Sequence, residues 1–207
     1  LTFKNKKTKM KKIYFFLPVL ISYILITACS VSPGYRIDGI VKDTSFEGKT
    51  VFLKDNYDRS KIYDSAQVIK GKFYFSDSAN IASPYMRLLS LPAHESGSYE
   101  LPIVIENGRI TALVGENVCT SGTVLNDKLQ DFLLGLDEFQ DIIHEEKNFD
   151  EKRMMVRLSA FLKGYITTNA NNIVGVYLYS IYQHLLTNED KQMLLTDHVW
   201  LKEQVEK

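Results

Sequence analysis

The chain is 207 residues long, with 25 lysines and arginines, 25 aspartates and glutamates, 4 histidines and 2 cysteines. No Cys-x-x-Cys and no Cys/His cluster occurs, which excludes zinc-ligand sets and dithiol redox chemistry in the residues present. The first twelve residues are strongly basic, so the remainder is acidic, and this argues against nucleic acid as a partner.

The chain opens at Leu1 with the polar, basic run LTFKNKKTK, and Met10-Lys11-Lys12 starts a new pattern, so Met10 is the expected start of translation. From Ile13 to Ala28 the residues are apolar or small, interrupted by Pro18, Ser22 and Tyr23. A basic segment followed by so short an apolar one is expected to be a secretion signal rather than a membrane-spanning helix. At its end Ile26-Thr27-Ala28-Cys29 resembles the lipobox of bacterial lipoproteins. That resemblance implies that Ile26, Thr27 and Ala28 are read by the signal peptidase and that the Cys29 sulfur takes the lipid. A multiply acylated cysteine meets the two-chain condition for stable anchoring, at about 0.8 kcal/mol per buried methylene. The expected order is therefore an upstream extension and signal peptide over 1–28 and a lipidated tether over 29–34. The segment 30–34 reaches at most roughly 17 Å. In lipoproteins of Bacteroidota, acidic residues directly after the cysteine favour surface display. Here the first acid is Asp38, so the resemblance implies the periplasm-facing side of the outer membrane.

Residues 35–125 read as short strands separated by turn chemistry. Tyr35 to Lys42 alternates, with Tyr35, Ile37 and Val41 opposite Arg36, Asp38 and Lys42. Glu47-Gly48-Lys49 is expected to turn it into Thr50 to Leu53 as a first hairpin. Asp64 to Ile69 and Lys72 to Phe75 flank Lys70-Gly71, the signature of a second hairpin with Gly71 at positive φ. Pro84 to Leu91 is a further strand, its proline at the start where no ladder bond is lost. Leu101 to Glu106 and Arg109 to Val114 flank Asn107-Gly108, the strongest short hairpin signal, and Gly115 to Ser121 closes the region. Seven or eight such strands predict an antiparallel β-sandwich or a partly open barrel.

From residue 126 to 207 the period becomes helical. Leu129, Phe132, Leu133, Leu136, Phe139, Ile142 and Ile143 share one face of a first helix, with Asn126 or Asp127 as its N-cap. A second helix runs from about Asp150 to Ile166, and Asn171 or Asn172 caps a third through Ile173, Val174, Tyr177, Leu178, Ile181 and Leu185. Thr187 with Asp190 resembles a capping box for a fourth that carries Leu194, Leu195, Val199 and Trp200. The expectation is an α+β chain, a sheet region followed by a helical bundle.

No catalytic constellation emerges. His94-Glu95 and His144-Glu145 lack the second histidine of a zincin, and no Gly-x-Ser-x-Gly elbow, P-loop or dinucleotide fingerprint is present. His184 and His198, on apolar-rich helices, are expected to be hydrogen-bonded structural residues. Cys119, in a strand-like alternation, is expected to be a small buried hydrophobe. The acids Asp137, Glu138, Asp141, Glu145 and Glu146 fall opposite the apolar stripe of their helix, as a solvated face does. Tyr57, Tyr63, Tyr74, Tyr85 and Tyr99 form either strand cores or a ligand platform that would suit a glycan. The polar connection Ala93 to Tyr99 is the first place to expect a binding contact, through His94, Glu95 and Tyr99. No cofactor and no metal is expected, and the protein is expected not to be an enzyme.

Tyr35-x-Ile37-x-Gly39, Val51-Phe52-Leu53, Asp64-Ser65-Ala66-x-Val68-x-x-Gly71-Lys72-Phe73-x-Phe75, Leu101 to Gly108 and Ser121-Gly122-Thr123-x-Leu125-Asn126 together resemble the domain-of-unknown-function family 4369. That family occurs after the lipobox in lipoproteins of Bacteroidota, usually upstream of a thioredoxin-like thiol:disulfide oxidoreductase domain. Two expectations follow. One is a lipid-anchored, non-catalytic module that binds or positions a periplasmic protein or small ligand and meets the membrane through its N-terminal lipid. The other is the N-terminal part of a thiol:disulfide oxidoreductase, whose Trp-Cys-x-x-Cys has no counterpart up to Lys207.

Overall fold

Strands that bury every second residue need a partner sheet, and the chain supplies two. The computed structural model describes residues 33–93, 97–145 and 150–207. It contains β1 (Tyr35–Ile40), β2 (Thr50–Lys54), β3 (Ile62–Gln67), β4 (Lys72–Asp77), β5 (Tyr85–Pro92), β6 (Ser98–Ile105), β7 (Gly108–Leu113) and β8 (Cys119–Ser121). The first sheet has the order β4-β1-β7-β8 and the second β3-β2-β5-β6. Ile37, Phe73, Phe75 and Ile110 from the first sheet meet Val51, Leu53, Leu89, Leu101 and Ile103 from the second in one buried core. This is the β-sandwich of the α+β expectation.

The strand pairing differs from the three expected hairpins. Lys70 (φ 52°) and Gly71 (φ 68°) do make a two-residue reversal. The Ile69 N–H donates to the Lys72 carbonyl at 2.8 Å and the Lys72 N–H to the Ile69 carbonyl at 3.1 Å. The Glu47 carboxylate holds this turn by accepting from the amides of Lys70 and Gly71 at 2.7 and 3.2 Å. Beyond it, however, β3 joins β2 in one sheet while β4 joins β1 in the other. Asn107-Gly108 is likewise a corner between sheets. The Asn107 Oδ1 accepts from Gly34 and Ile81 amides at 2.9 Å, and its Nδ2 donates to Asn80 and to the Ile81 carbonyl at 3.0 Å. Four bonds from one amide fasten the entry of β1 to the exit of β6. The segment after β1 crosses between the sheets as well, burying Phe46 in the core on the way. A further departure is that β1 pairs with β7 in parallel, so the sandwich is not wholly antiparallel.

Among the described residues five helices follow: α1 (Val124–Glu145), α2 (Glu151–Thr168), α3 (Ile173–Tyr182), α4 (Asn188–Asp197) and α5 (Val199–Val205). Asn172 and Thr187 cap α3 and α4 as expected, and Asp150 caps α2, each accepting an amide of the first turn. The expected fourth helix is divided at His198 into α4 and α5. Asn126 is not a cap. Helix α1 begins two residues earlier because the Glu106 carboxylate accepts from the amides of Leu125 and Asn126 at 2.7 and 3.2 Å. This frees the fully buried Asn126 side chain to bond across to the sandwich. Its Oδ1 accepts from the Val104 N–H at 3.0 Å and from the Thr120 hydroxyl at 2.8 Å. Its Nδ2 donates to the Val104 carbonyl and to Thr123 Oγ1, both at 2.8 Å.

Leu129, Phe132, Leu162, Ile166, Val174 and Leu178 form a second core that takes in Met86 and Val104. The helices therefore cover the outward side of the second sheet, while Ile40 and Tyr74 on the outward side of the first remain 40% and 50% exposed. Ser32–Lys207 form one compact unit. No described helix is long and apolar enough to cross a membrane.

Gly39 is required by packing. It pairs with Phe73, and a Cβ there would lie 2.1 Å from the Phe73 ring, which is itself buried. Gly39→Ala is expected to cost about 1–3 kcal/mol by overpacking, read as a lower urea midpoint with an unchanged slope. An unchanged midpoint would show that the ring yields freely.

Candidate functional site

Two strands running in parallel deliver their outgoing loops to the same end of a sheet. Because β1 and β7 are parallel, the segments after Ile40 and Leu113 emerge side by side, and the Val114 N–H donates to the Ile40 carbonyl at 3.0 Å. They meet Tyr99, near the start of β6, and bound a cleft of about 350 Å³ lined among others by Lys42, Asp43, Phe46, Glu116 and Asn117. The half-buried Tyr99 ring stands edge-on to Phe46 with centroids 5.8 Å apart. Asp43 caps the turn after β1 by accepting from the Ser45 amide at 2.8 Å. The walls thus offer an aromatic edge, an apolar floor of Leu113 and Val114, an ammonium, carboxylates and an amide. Such a surface can hold a small polar ligand or a loop of another protein.

A second hollow of about 600 Å³ lies on the other side of the Glu116–Asn117 segment, between it and α1. Cys119 sits on its rim, half-exposed rather than buried as expected, with Sγ 4.0 Å from the Thr120 carbonyl. Of the sequence candidates, Tyr99 is in the cleft. His94, Glu95, Ile26, Thr27, Ala28 and Cys29 lie outside the described residues.

The other tyrosines do not form one platform. Tyr63 and Tyr85 hold the Arg87 guanidinium between them at 3.8 and 4.5 Å. Tyr63 donates to Asp55 at 3.0 Å, and two turn amides at Tyr57 and Asp58 do the same. Those backbone bonds hold the Asp55 carboxyl below the usual range. Tyr74 lies under Arg36 on the opposite sheet. Partial desolvation raises the phenol of the largely exposed Tyr57 above its usual range, against the hydrogen bond it shares with Ser180 on α3. His184 is exposed on the turn after α3 and His198 half-exposed between α4 and α5.

One group has the residue types of a catalytic set and a different role. Ser159 and Lys163 on α2 converge on Asp190 of α4. Ser159 donates to Asp190 Oδ2 at 2.5 Å and accepts the Thr187 amide at 2.8 Å, while Lys163 pairs with Asp190 Oδ1 at 2.6 Å. Ser159 is fully buried and uses its donor and an acceptor in joining the two helices. A hydroxyl so engaged is not presented to a substrate. Sequence periodicity hid this group because its members are 31 residues apart and only the helix packing joins them. Among the described residues no cluster of metal-binding side chains occurs.

Burial pushes the Asp190 carboxyl up, but the bonds from Lys163, Ser159 and Thr187 outweigh it and hold it below its ordinary value. A depressed carboxylate contributes stability that is complete above its unfolded value, near 3.9, and is lost as pH falls through the folded one. Asp190→Asn is therefore expected to lower stability at pH 7 and to flatten the acid side of the stability profile below about pH 4. Parallel acid profiles for the two proteins would contradict this assignment.

No curated protein matches the chain. Residues 35–129, from the first residue of β1 into α1, match the family model described as domain of unknown function, DUF4369. The part of the chain that builds the sandwich, the Tyr99 cleft and the Asn126 junction is thus similar to that family of unknown function.

Proposed function

We propose that this is a lipid-anchored cell-envelope protein whose folded part is a non-catalytic binding or positioning module, with the Tyr99 cleft as its contact site. The observation that carries the reading is the cleft itself. Two loops set side by side by the parallel β1–β7 pair meet an aromatic ring on a rigid sandwich, the arrangement of a binding site on a scaffold. The Ser159–Lys163–Asp190 group supports it in turn, because its polar groups are engaged in holding α2 to α4. The anchor rests on the basic and apolar leader and on Ile26-Thr27-Ala28-Cys29, a few residues before β1. Its proposed place is the periplasmic face of the outer membrane.

A second reading makes this chain the N-terminal part of a thiol:disulfide oxidoreductase. The similarity of residues 35–129 to the family resembled above favours it.

The intact mass of the native protein extracted from the membrane fraction separates these readings. The expected mass is that of Cys29 to Lys207 plus lipid, and Cys29→Ser is expected to release the protein from the membrane fraction. A mass larger by a whole domain would favour the second reading, and an unlipidated Cys29 would contradict the anchor. Reduction of insulin disulfides by the purified protein at an enzymatic rate would contradict the non-catalytic role.

A further inference from the structure

The outward side of the first sheet is the side that the helices leave open, and its charges are of one dominant sign. Arg36 of β1 and Arg109 of β7 are direct neighbours across the parallel pair. Like charges so placed repel, and here one carboxylate holds both. Asp38 accepts from Arg36 Nε at 2.8 Å on one oxygen and from Arg109 Nε on the other. Each guanidinium is bound to Asp38 through Nε. The two side chains are 57% and 74% exposed. Ser76 stands in register with Arg36, and Thr111 with Asp38. The Arg36 guanidinium lies over the Tyr74 ring at 5.2 Å from its centroid. Lys72, opposite Ile40, adds a third base, so three cations and one carboxylate share this side with the exposed Tyr74 and Ile40.

Two paired guanidinium forks match phosphate oxygens. A flat cationic patch with an amphipathic ring and an aliphatic side chain matches an anionic bilayer surface. The position along the chain agrees, since Arg36 follows Cys29 by seven residues, a few of them tether.

We infer that the outward side of the first sheet, through Arg36, Arg109, Lys72 and Tyr74, docks on the phosphate headgroups of anionic phospholipids in the anchoring leaflet. This orients the body with the helices away from the bilayer. The orientation rests on the lipid anchor proposed above; the charge recognition does not.

The single tryptophan, Trp200 on α5, reads this orientation, since it belongs to the helical layer on the far side of the sandwich. At about 10 Å per layer it is held roughly 20 Å farther from the bilayer than the docking side. The native lipidated chain is reconstituted in vesicles of phosphatidylcholine alone or with phosphatidylglycerol, each with a dansylated headgroup as acceptor. Energy transfer from Trp200 is expected to be about twofold weaker in the anionic vesicles, and this difference is expected to vanish at high salt. It is also expected to vanish in the Arg36→Gln/Arg109→Gln double variant, whose fold is checked by circular dichroism. Lys72→Gln, away from the ion pair, is expected to reduce the difference in part.

Equal transfer in both vesicle types, or a difference that survives in the double variant, overturns the proposal. Transfer that responds to dissolved dextran sulfate and not to vesicle charge assigns the face to polyanionic glycans and also overturns it. Failure to float with phosphatidylcholine vesicles contradicts the anchor alone. In that case, flotation with anionic vesicles by the native chain and not by the double variant upholds the docking face, and flotation with neither overturns it.

Discussion

The architecture depends on how one buried amide, Asn126, replaces a missing strand. Strand β6 is an edge of the second sheet, and the Val104 N–H and carbonyl point outward from it into the region covered by α1. Buried and unpaired, those two groups would each cost about 1–3 kcal/mol. The Asn126 side chain presents an acceptor and a donor to them in the way a neighbouring strand would, while its Oδ1 also receives the Thr120 hydroxyl from β8 of the first sheet. One side chain thus joins both sheets to the helical half. With Glu106 holding the first amides of α1, the register of that helix is set, and Leu129 and Phe132 fall onto Leu162, Ile166 and the outward side of the second sheet.

The same logic of satisfied backbone groups explains the topology. Asn107 uses its whole amide to fasten the start of β1 beside the start of β7, and the parallel pairing of those strands follows from that junction. Parallel pairing in turn sends the loops after both strands to one end, where they form the Tyr99 cleft, and leaves Arg36 and Arg109 abreast on the open side. The candidate contact site and the cationic face are therefore two consequences of one crossover. They lie on different parts of the same sandwich, so a module held by its open side at a membrane keeps its cleft available at its end.

Much of the element order was legible in the sequence because it is local. Alternation at Tyr35, Ile37 and Val41, and the capping residues Asn172 and Thr187, act within a few residues of themselves. Pairing was not legible. Lys70-Gly71 and Asn107-Gly108 announce a turn, and the chain does turn at both, but no turn residue states which sheet receives the next strand. That choice is made by burial of Phe73 and Phe75 between the sheets, a long-range effect. Asn126 has the residue type of an N-cap, and only the carboxylate of Glu106, 19 residues upstream of Leu125, moves the helix start ahead of it. Of the expected binding loop, Tyr99 lines the cleft, and it does so through the two loops that the unexpected parallel pair brings to it rather than through the polarity of its own loop. The cationic face was missed because Arg36 and Arg109 are far apart in sequence and become neighbours only in the sheet.

The weld that Asn126 makes between sandwich and helices is measured by urea unfolding of Asn126→Ala, followed both by Trp200 fluorescence and by hydrogen exchange in the sandwich. Four groups lose their partner in that variant, so a loss of about 3 kcal/mol or more is expected, seen by both probes. A loss below about 1 kcal/mol, the size of one ordinary hydrogen bond, would contradict it and would mean that apolar packing alone holds the two halves together.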